Sequence, residues 1–330
     1  MDAINFEKII CVENLLLAWK EFLRGKRSKQ DLEIFQLHLM DNIFDLHNDL
    51  KNKIYKHGGY KAFNISDPKP RNIHKANVGD RLLHHAIYRV LYQYFDSKFI
   101  HDSYSCRVGK GTHKAIDRFH DFYLKVSKNN TITCFVLKCD IRKFFANINH
   151  NILKEILSKT VLDTDILWLL SQVIDSFHTP NPIYAMAEMQ KGLPLGNLTS
   201  QLLVNIYMNE FDQFMKRELK VKYYIRYADD FVILHKDKKY LEELLLKISG
   251  FLEKELKLQL HPDKVSIETI ASGIDFLGWV NFPKHRVLRT STKRRMLKNL
   301  KESSKLESKH SYLGMLSHGN AYKLSEIIKG

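Results

Sequence analysis

Two adjacent aspartates at the tip of an apolar hairpin restrict this chain more than any other feature. Residues 221–235 run Val-Lys-Tyr-Tyr-Ile-Arg-Tyr, then Ala228-Asp229-Asp230, then Phe-Val-Ile-Leu-His. Two β-rich segments around a short break predict a hairpin. Strands disfavour Asp, and like charges side by side repel. Asp is at home in turns, yet a bare hairpin turn more often carries Asn-Gly or Asp-Gly. No glycine stands here. A divalent cation would remove the repulsion and account for the pair.

Asp140 is the natural third acid. It ends the β-rich run 131–139, Thr-Ile-Thr-Cys-Phe-Val-Leu-Lys-Cys. A carboxylate closing a buried strand is costly unless it is solvated or metal-bound. Two magnesium ions about 3.5–4 Å apart can activate a hydroxyl and stabilise a leaving pyrophosphate. Such ions take carboxylate and phosphate oxygens and need no His or Cys. Cys11, Cys106, Cys134 and Cys139 form no C-x-x-C pair and complete no zinc pattern. They read as buried or half-buried thiols of a reducing compartment.

Around these acids the pattern alternates helix and strand without a βαβ rhythm, which predicts an α+β architecture. Residues 6–56 read as two or three helices. Leu15, Leu16, Trp19, Phe22 and Leu23 form one apolar face, continued by Phe35, Leu37, Met40, Ile43, Phe44 and Leu50. Arg24-Gly25-Lys26-Arg27 is a basic turn between them. Short strands are expected over 58–80 and a helix over 81–95. Further helices are expected over 149–177, 199–219 and 239–258, the second burying Leu202, Leu203, Ile206, Phe211 and Met215. Strands surround Phe276–Trp279, and the tail from Lys284 is basic and helical.

The net charge of +15 over 330 residues points to a polyanionic partner, most often nucleic acid. Asp2 and Glu7 sit where a signal peptide would be basic, and no apolar run approaches a membrane span, so a cytoplasmic location is expected.

Five segments, in order, resemble the motifs of reverse transcriptases. Leu137-Lys138-Cys139-Asp140-Ile141-Arg142-Lys143-Phe144-Phe145 is similar to the first catalytic motif, and Gly192-Leu193-Pro194-Leu195-Gly196-Asn197-Leu198-Thr199-Ser200-Gln201 to the second. Tyr227-Ala228-Asp229-Asp230 is the third. His261-Pro262-Asp263-Lys264 looks like the fourth, and Phe276-Leu277-Gly278-Trp279 like the primer grip. Lys69-Pro70-Arg71 through Asp80-Arg81, and Ser105-Cys106-Arg107 through Gly111-Thr112, resemble the fingers. The resemblance covers roughly residues 15–280. Many reverse transcriptases carry Gln-Gly-x-x-x-Ser-Pro in the second motif. Leu195 through Gln201 depart from it and resemble the enzymes of diversity-generating retroelements, which copy a template-repeat RNA into cDNA with errors opposite adenine.

The resemblance implies a right-hand polymerase fold with fingers, palm and a small helical thumb. Residues 1–136 would form an N-terminal helical extension and fingers, 137–283 the palm with a helical segment at 149–191, and 284–330 the thumb. No room is expected for an RNase H, maturase or endonuclease domain. Asp140, Asp229 and Asp230, with the Ile141 carbonyl, would hold two Mg2+ ions, Mn2+ being the alternative. Lys264 reads either as the general acid for pyrophosphate or as a solvated loop lysine. Phe145 reads as a gate against the ribose 2′-OH or as core, where Phe144 belongs. Arg71, Lys75 and Arg81 are assigned to the incoming dNTP or the template backbone, with Leu195 and Gly196 against the nascent pair. Arg107, Lys110, Gln201, Tyr227, Phe276, Leu277 and Gly278 are assigned to template and primer. Lys293, Arg294, Arg295 and Lys298 read as a thumb helix tracking phosphates. His84 and His85 read as a satisfied helical pair. The partners implied are template RNA, cDNA, dNTPs and a small basic accessory protein. Another bacterial reverse transcriptase (retron, group II intron-like or defence-associated) is the runner-up. A non-catalytic RNA-binding scaffold is the alternative outside enzymology.

Overall fold

A computed structural model of the chain describes residues 4–66, 70–179, 190–302 and 306–329. Lys69 and part of the 149–191 segment lie outside the described residues. In chain order the elements begin with α1 (Phe6–Ile10), α2 (Val12–Phe22), α3 (Gln30–Leu37), α4 (Leu39–Lys51), β1 (Tyr60–Ile65), β2 (Arg71–Ala76), α5 (Val78–Asp96) and α6 (Thr112–Val126). Then come β3 (Phe135–Asp140), α7 (Phe144–Asn147), α8 (His150–Ser158), α9 (Thr164–Asp175) and α10 (Leu198–Gln213). β4 (Tyr224–Tyr227), β5 (Asp230–His235), α11 (Lys238–Lys254), β6 (Ser266–Thr269), β7 (Ile274–Phe276), β8 (Trp279–Asn281) and β9 (Arg286–Leu288) follow. α12 (Thr290–Glu302), α13 (Leu306–Leu316) and α14 (Tyr322–Lys329) close the chain. They fall into two units, one of Met1–Ile100, Arg142–Phe214 and Phe251–Gln259, the other of His101–Ile141, Met215–Gly250 and Leu260–Gly330.

The first unit is mostly helical. Leu15, Trp19 and Phe22 recur at i, i+4 and i+7 and are buried where α2 packs on α5. Burying a side chain such as Phe22 stabilises by about 1.5–3 kcal/mol. Asn77 caps α5, its side chain accepting the Asp80 N–H at 2.8 Å. α10 packs on the same helix and buries Leu202, Leu203, Ile206 and Phe211. β1 and β2 form an exposed antiparallel ribbon.

Several expected elements differ. The N-terminal region holds four helices rather than two or three. Leu37, Met40 and Phe44 are 79%, 45% and 47% exposed, whereas Ile43, Leu46 and Leu50 are buried. The helix breaks at His38, which leaves Leu37 in α3, and within α4 Met40 and Phe44 lie about 100° around the axis from Ile43, Leu46 and Leu50 at 3.6 residues per turn. One continuous apolar face therefore does not exist. The stretch 149–177 splits because Asp163 caps a new helix, accepting the N–H groups of Asp165 and Ile166. α10 leaves α-geometry after Gln213 for a π turn, Phe214–Glu218, although Met215 is buried as expected.

The second unit is built on a sheet of order β4-β5-β3-β6, antiparallel throughout. α6, which the sequence reading left unassigned, packs against β4 and β5. Its Phe119, Phe122, Tyr123 and Val126 meet Val136, Ile225, Val232 and Leu234 in one core. A smaller sheet β7-β8-β9 follows. Leu277 and Gly278 join β7 to β8 with φ of 51° and 88°, the pattern of a type I′ turn. The tail opens with β9 and only then becomes helical. Trp279, Met296, Leu316 and Ile328 form its core. Cys106 is exposed rather than buried, while Cys134 and Cys139 are buried. Among the described residues no helix is long and apolar enough to cross a membrane.

Candidate active site

The strand register brings the acids together. Asp140, last in β3, pairs with Asp230, first in β5. Residues directly opposite in an antiparallel ladder put their side chains on one face. Tyr227 pairs with Asp230 across the hairpin, leaving Ala228 and Asp229 as a two-residue loop. Ala228 takes φ 55° and Asp229 does not take a positive φ, the type II′ pattern. Arg226, fully buried, holds this loop: its guanidinium donates to the Ala228 carbonyl and the Ser103 hydroxyl, each at 3.1 Å.

The Asp230 carboxyl is pushed up to about 6 by burial, then by the negative charges of Asp229 and Asp140. Lys264 answers part of that charge. Its Nζ donates to both carboxylate oxygens of Asp140 at 2.9 Å. Placement of Lys264 follows from the backbone before it. Leu260 bridges Ile141, itself buried, and the His261 N–H donates to the Asp140 carbonyl at 2.8 Å. Lys264 then ends a short 3-10 turn, Pro262–Lys264.

Among the described residues no group of three or more His, Cys, Asp and Glu side chains converges closely enough to hold a metal ion. The expected three-carboxylate cage is thus not closed here, since Asp140 directs both oxygens to Lys264. The donor chemistry still fits a hard divalent cation. Carboxylate oxygens are its preferred ligands, and the negative charge that raises Asp230 is what such an ion would neutralise.

The first unit carries a cavity of about 390 Å³ that gathers four of the expected residues: Lys75, Arg81, Gly196 and Gln201. The Leu195 carbonyl accepts the His74 N–H at 3.1 Å, which seats the second motif on β2. Gly196 has φ 112°, and a Cβ there would lie 3.0 Å from Ile73 Cγ2. The backbone conformation favours glycine, and a Cβ would also press on Ile73. Lys75 and Arg81 both bond Asp31 Oδ2, at 2.7 and 2.5 Å. Arg71 begins β2 and is exposed, outside the cavity lining. Phe145 is half-buried, 5.6 Å from Phe144 ring to ring, and its carbonyl accepts the Leu193 N–H at 2.8 Å. Phe144 is buried.

The other expected residues belong to the second unit. Arg107 donates to the Ser103 carbonyl at 3.0 Å, and Lys110 to the His101 carbonyl at 2.8 Å. Tyr227 packs on the α6 core and its hydroxyl meets Thr112 at 3.4 Å. Phe276 is buried in that same core, and Leu277 and Gly278 form the turn beside it. On α12, Lys293, Arg294 and Lys298 are exposed, with Arg295 half-buried.

Arg226 and Asp31 escaped the sequence reading. Arg226 reads as one charged residue in an alternating strand, and nothing in its spacing marks a buried guanidinium. Asp31 lies 44 residues from Lys75, outside every motif.

Residues 54–280 match the family described as Reverse transcriptase (RNA-dependent DNA polymerase). Protein YkfC of Escherichia coli (strain K12) is 28% identical over 257 residues, covering 68% of this chain and 65% of that protein. Group II intron-encoded protein LtrA of Lactococcus lactis subsp. cremoris is 23% identical over 195 residues, covering 58% and 31%. The chain thus spans about two thirds of the former and under a third of the latter. Among solved structures, apo telomerase from Candida tropicalis, truncated from its C-terminal domain, aligns with a TM-score of 0.51 at 15% identity. It covers 76% of this chain and 60% of that one. Telomerase from the same source in complex with a fragment of telomeric RNA gives 0.52, also at 15%, covering 78% and 51%. At such identity the likeness speaks for the fold alone, and the fold is the mixed α and β right-hand polymerase fold.

Proposed function

The chain belongs to the reverse transcriptase family, and from that premise we propose that it is an RNA-directed DNA polymerase of the diversity-generating type. In this reading it copies a template-repeat RNA into cDNA with adenine-directed errors, for diversification of a target gene. The observation that carries the polymerase chemistry is the Asp140–Asp230 register, with Lys264 on Asp140. Residues 1–136 are assigned to the N-terminal extension and fingers, 137–283 to the palm and 284–330 to the thumb.

Asp140, Asp229 and Asp230, with the Ile141 carbonyl, are assigned the divalent ions. Bound there, Mg2+ or Mn2+ supplies Lewis-acid charge to the attacking hydroxyl and the leaving group. Arg226 fixes the loop that presents Asp229. Lys264 Nζ donates a proton to the leaving pyrophosphate oxygen. Arg71, Lys75 and Arg81 bind triphosphate or template phosphate. Phe145 closes against the ribose 2′ position. Arg107, Lys110, Gln201, Tyr227 and the Leu277–Gly278 turn bind template and primer, with Phe276 anchoring that turn from the core.

The finer assignment is supported by Leu195 and Gln201. An apolar side chain at 195 offers no hydrogen bond to orient the nascent pair, which loosens discrimination between correct and incorrect bases. Gly196 keeps the backbone close. A small basic accessory protein belongs to this reading by family resemblance.

The test is primer extension on an RNA template containing all four bases, with Mg2+ and dNTPs, followed by cDNA sequencing. Errors concentrated at template adenines are expected. Errors spread evenly over the four bases would leave a retron or group II intron-like enzyme. No extension, with Asp229→Ala altering only RNA binding, would leave the scaffold.

A further inference from the structure

The cations assigned to phosphate in the first unit are already engaged. Lys75 Nζ and Arg81 Nη2 both donate to Asp31 Oδ2, and Asp31 also sits in the first turn of α3. Burial raises the Asp31 carboxyl, but the bonds and charges of Lys75 and Arg81 outweigh it and hold it below its ordinary value. A carboxylate shared by a lysine and an arginine has the charge and donor pattern of a bound phosphate oxygen.

A third cation stands beside them. Lys26, in the basic turn after α2, lines the same cavity as Lys75 and Arg81. Its ammonium lies 4.9 Å from the Phe22 ring centroid, and the Arg81 guanidinium lies 5.0 Å from the same centroid. Two cations on one aromatic ring gain from the ring quadrupole and lose by mutual repulsion. Burial and the Arg81 charge accordingly pull the Lys26 pKa down. Lys26 pairs with no carboxylate among the described residues. His85 adds no positive charge near neutrality, since burial, Lys26 and Arg81 hold it near 4. Three cations thus face one carboxylate at the wall of an open cavity.

We propose that Asp31 is a resident competitor for a phosphate site formed by Lys26, Lys75 and Arg81. A phosphate group entering the cavity takes over the bonds that Lys75 and Arg81 make to Asp31, and Lys26 receives its remaining charge. Asp31 thereby sets the affinity of the site, keeping its cations ordered and partly neutralised until phosphate arrives. The ligand class is a phosphate of an incoming nucleotide or of the template backbone. The inference rests on the assignment of Lys75 and Arg81 to phosphate.

The test pairs Asp31→Asn with Lys26→Gln in the full chain. Binding is read by fluorescence anisotropy of a labelled single-stranded RNA and by thermal shift with inorganic tripolyphosphate. Primer extension supplies the dNTP KM. Asp31→Asn should tighten one of these about fivefold, and Lys26→Gln should weaken the same one by a similar factor. A gain confined to tripolyphosphate and KM identifies the nucleotide, and a gain confined to RNA identifies the template. Weakening of both ligands by Asp31→Asn would overturn the proposal, as would no change in either, because Asp31 would then only brace its neighbours. Failure of wild-type chain to extend a primer strikes the polymerase assignment instead. Opposite shifts of the two variants in the binding assays stand apart from that outcome.

Discussion

Asp140 and Asp230 are direct partners across two antiparallel strands, and the charge they share is part of what raises Asp230. This arrangement is unfavourable for the folded chain by itself. Asp230→Asn should abolish primer extension, by about 10³-fold or more. In EDTA its melting temperature should be higher than wild type by about 2 °C or more. Mg2+ should then raise the wild-type midpoint and leave the variant's unchanged. A variant that melts lower in EDTA would show that the pair is not a source of strain.

Lys264 and a divalent ion draw on the same Asp140 oxygens. Lys264→Ala should lower kcat by about 10²-fold while the dNTP KM stays near wild type. The Mg2+ concentration for half-maximal rate should fall, because the competitor for Asp140 is gone. A Mg2+ requirement that rises would mean that Lys264 helps to form the site rather than competing for it.

Gly196 combines φ 112° with a tight 3.0 Å approach of Ile73 Cγ2 to where a Cβ would stand. Gly196→Ala should destabilise the chain by about 1–3 kcal/mol in urea denaturation. It should also raise the dNTP KM. An unchanged midpoint would mean that the loop relaxes without strain.

Phe145 is half-buried where Phe144 is buried. Phe145→Ala should raise incorporation of rNTPs relative to dNTPs on the order of tenfold or more. Equal losses for both substrates would assign Phe145 to packing.

His84 sits fully buried, 3.1 Å from His57 Nε2 and 2.7 Å from the Thr199 hydroxyl. Burial, then the His57 and His85 charges, hold its pKa near 3, well below the ordinary 6.5. Between those values the unfolded chain takes up a proton that the folded chain refuses. Stability is therefore full above pH 6.5 and declines as pH falls, by up to about 1.4 kcal/mol per pH unit. Melts at pH 7 and pH 5 should differ less for His84→Gln than for wild type. Parallel losses in both would place the acid sensitivity elsewhere.

The sequence by itself determined the strands that end in acid, the hairpin around Ala228 and Asp229, the helix faces of α2 and α10, and the presence of a helix at α5. These rest on periodicities of 2 and 3.6 and on turn chemistry, all local properties of the chain. Its motif order also identified the family. The pairing of Asp140 with Asp230 was decided by strand register, which depends on residues 90 positions apart. Lys264 reached Asp140 only because Leu260 and His261 bond the backbone there. Lys75 and Arg81 met Asp31 only when α3 packed near α5. Leu37, Met40 and Phe44 are apolar and missed the core: the break at His38 separates Leu37 from α4, and Met40 and Phe44 point away from the face of α4 that packing covers. A local pattern states which face of an element is apolar, and tertiary packing alone states which face is covered and which charges meet. Tyr227-Ala228-Asp229-Asp230 was legible from the start, but the charges that act on it became visible only in the folded chain.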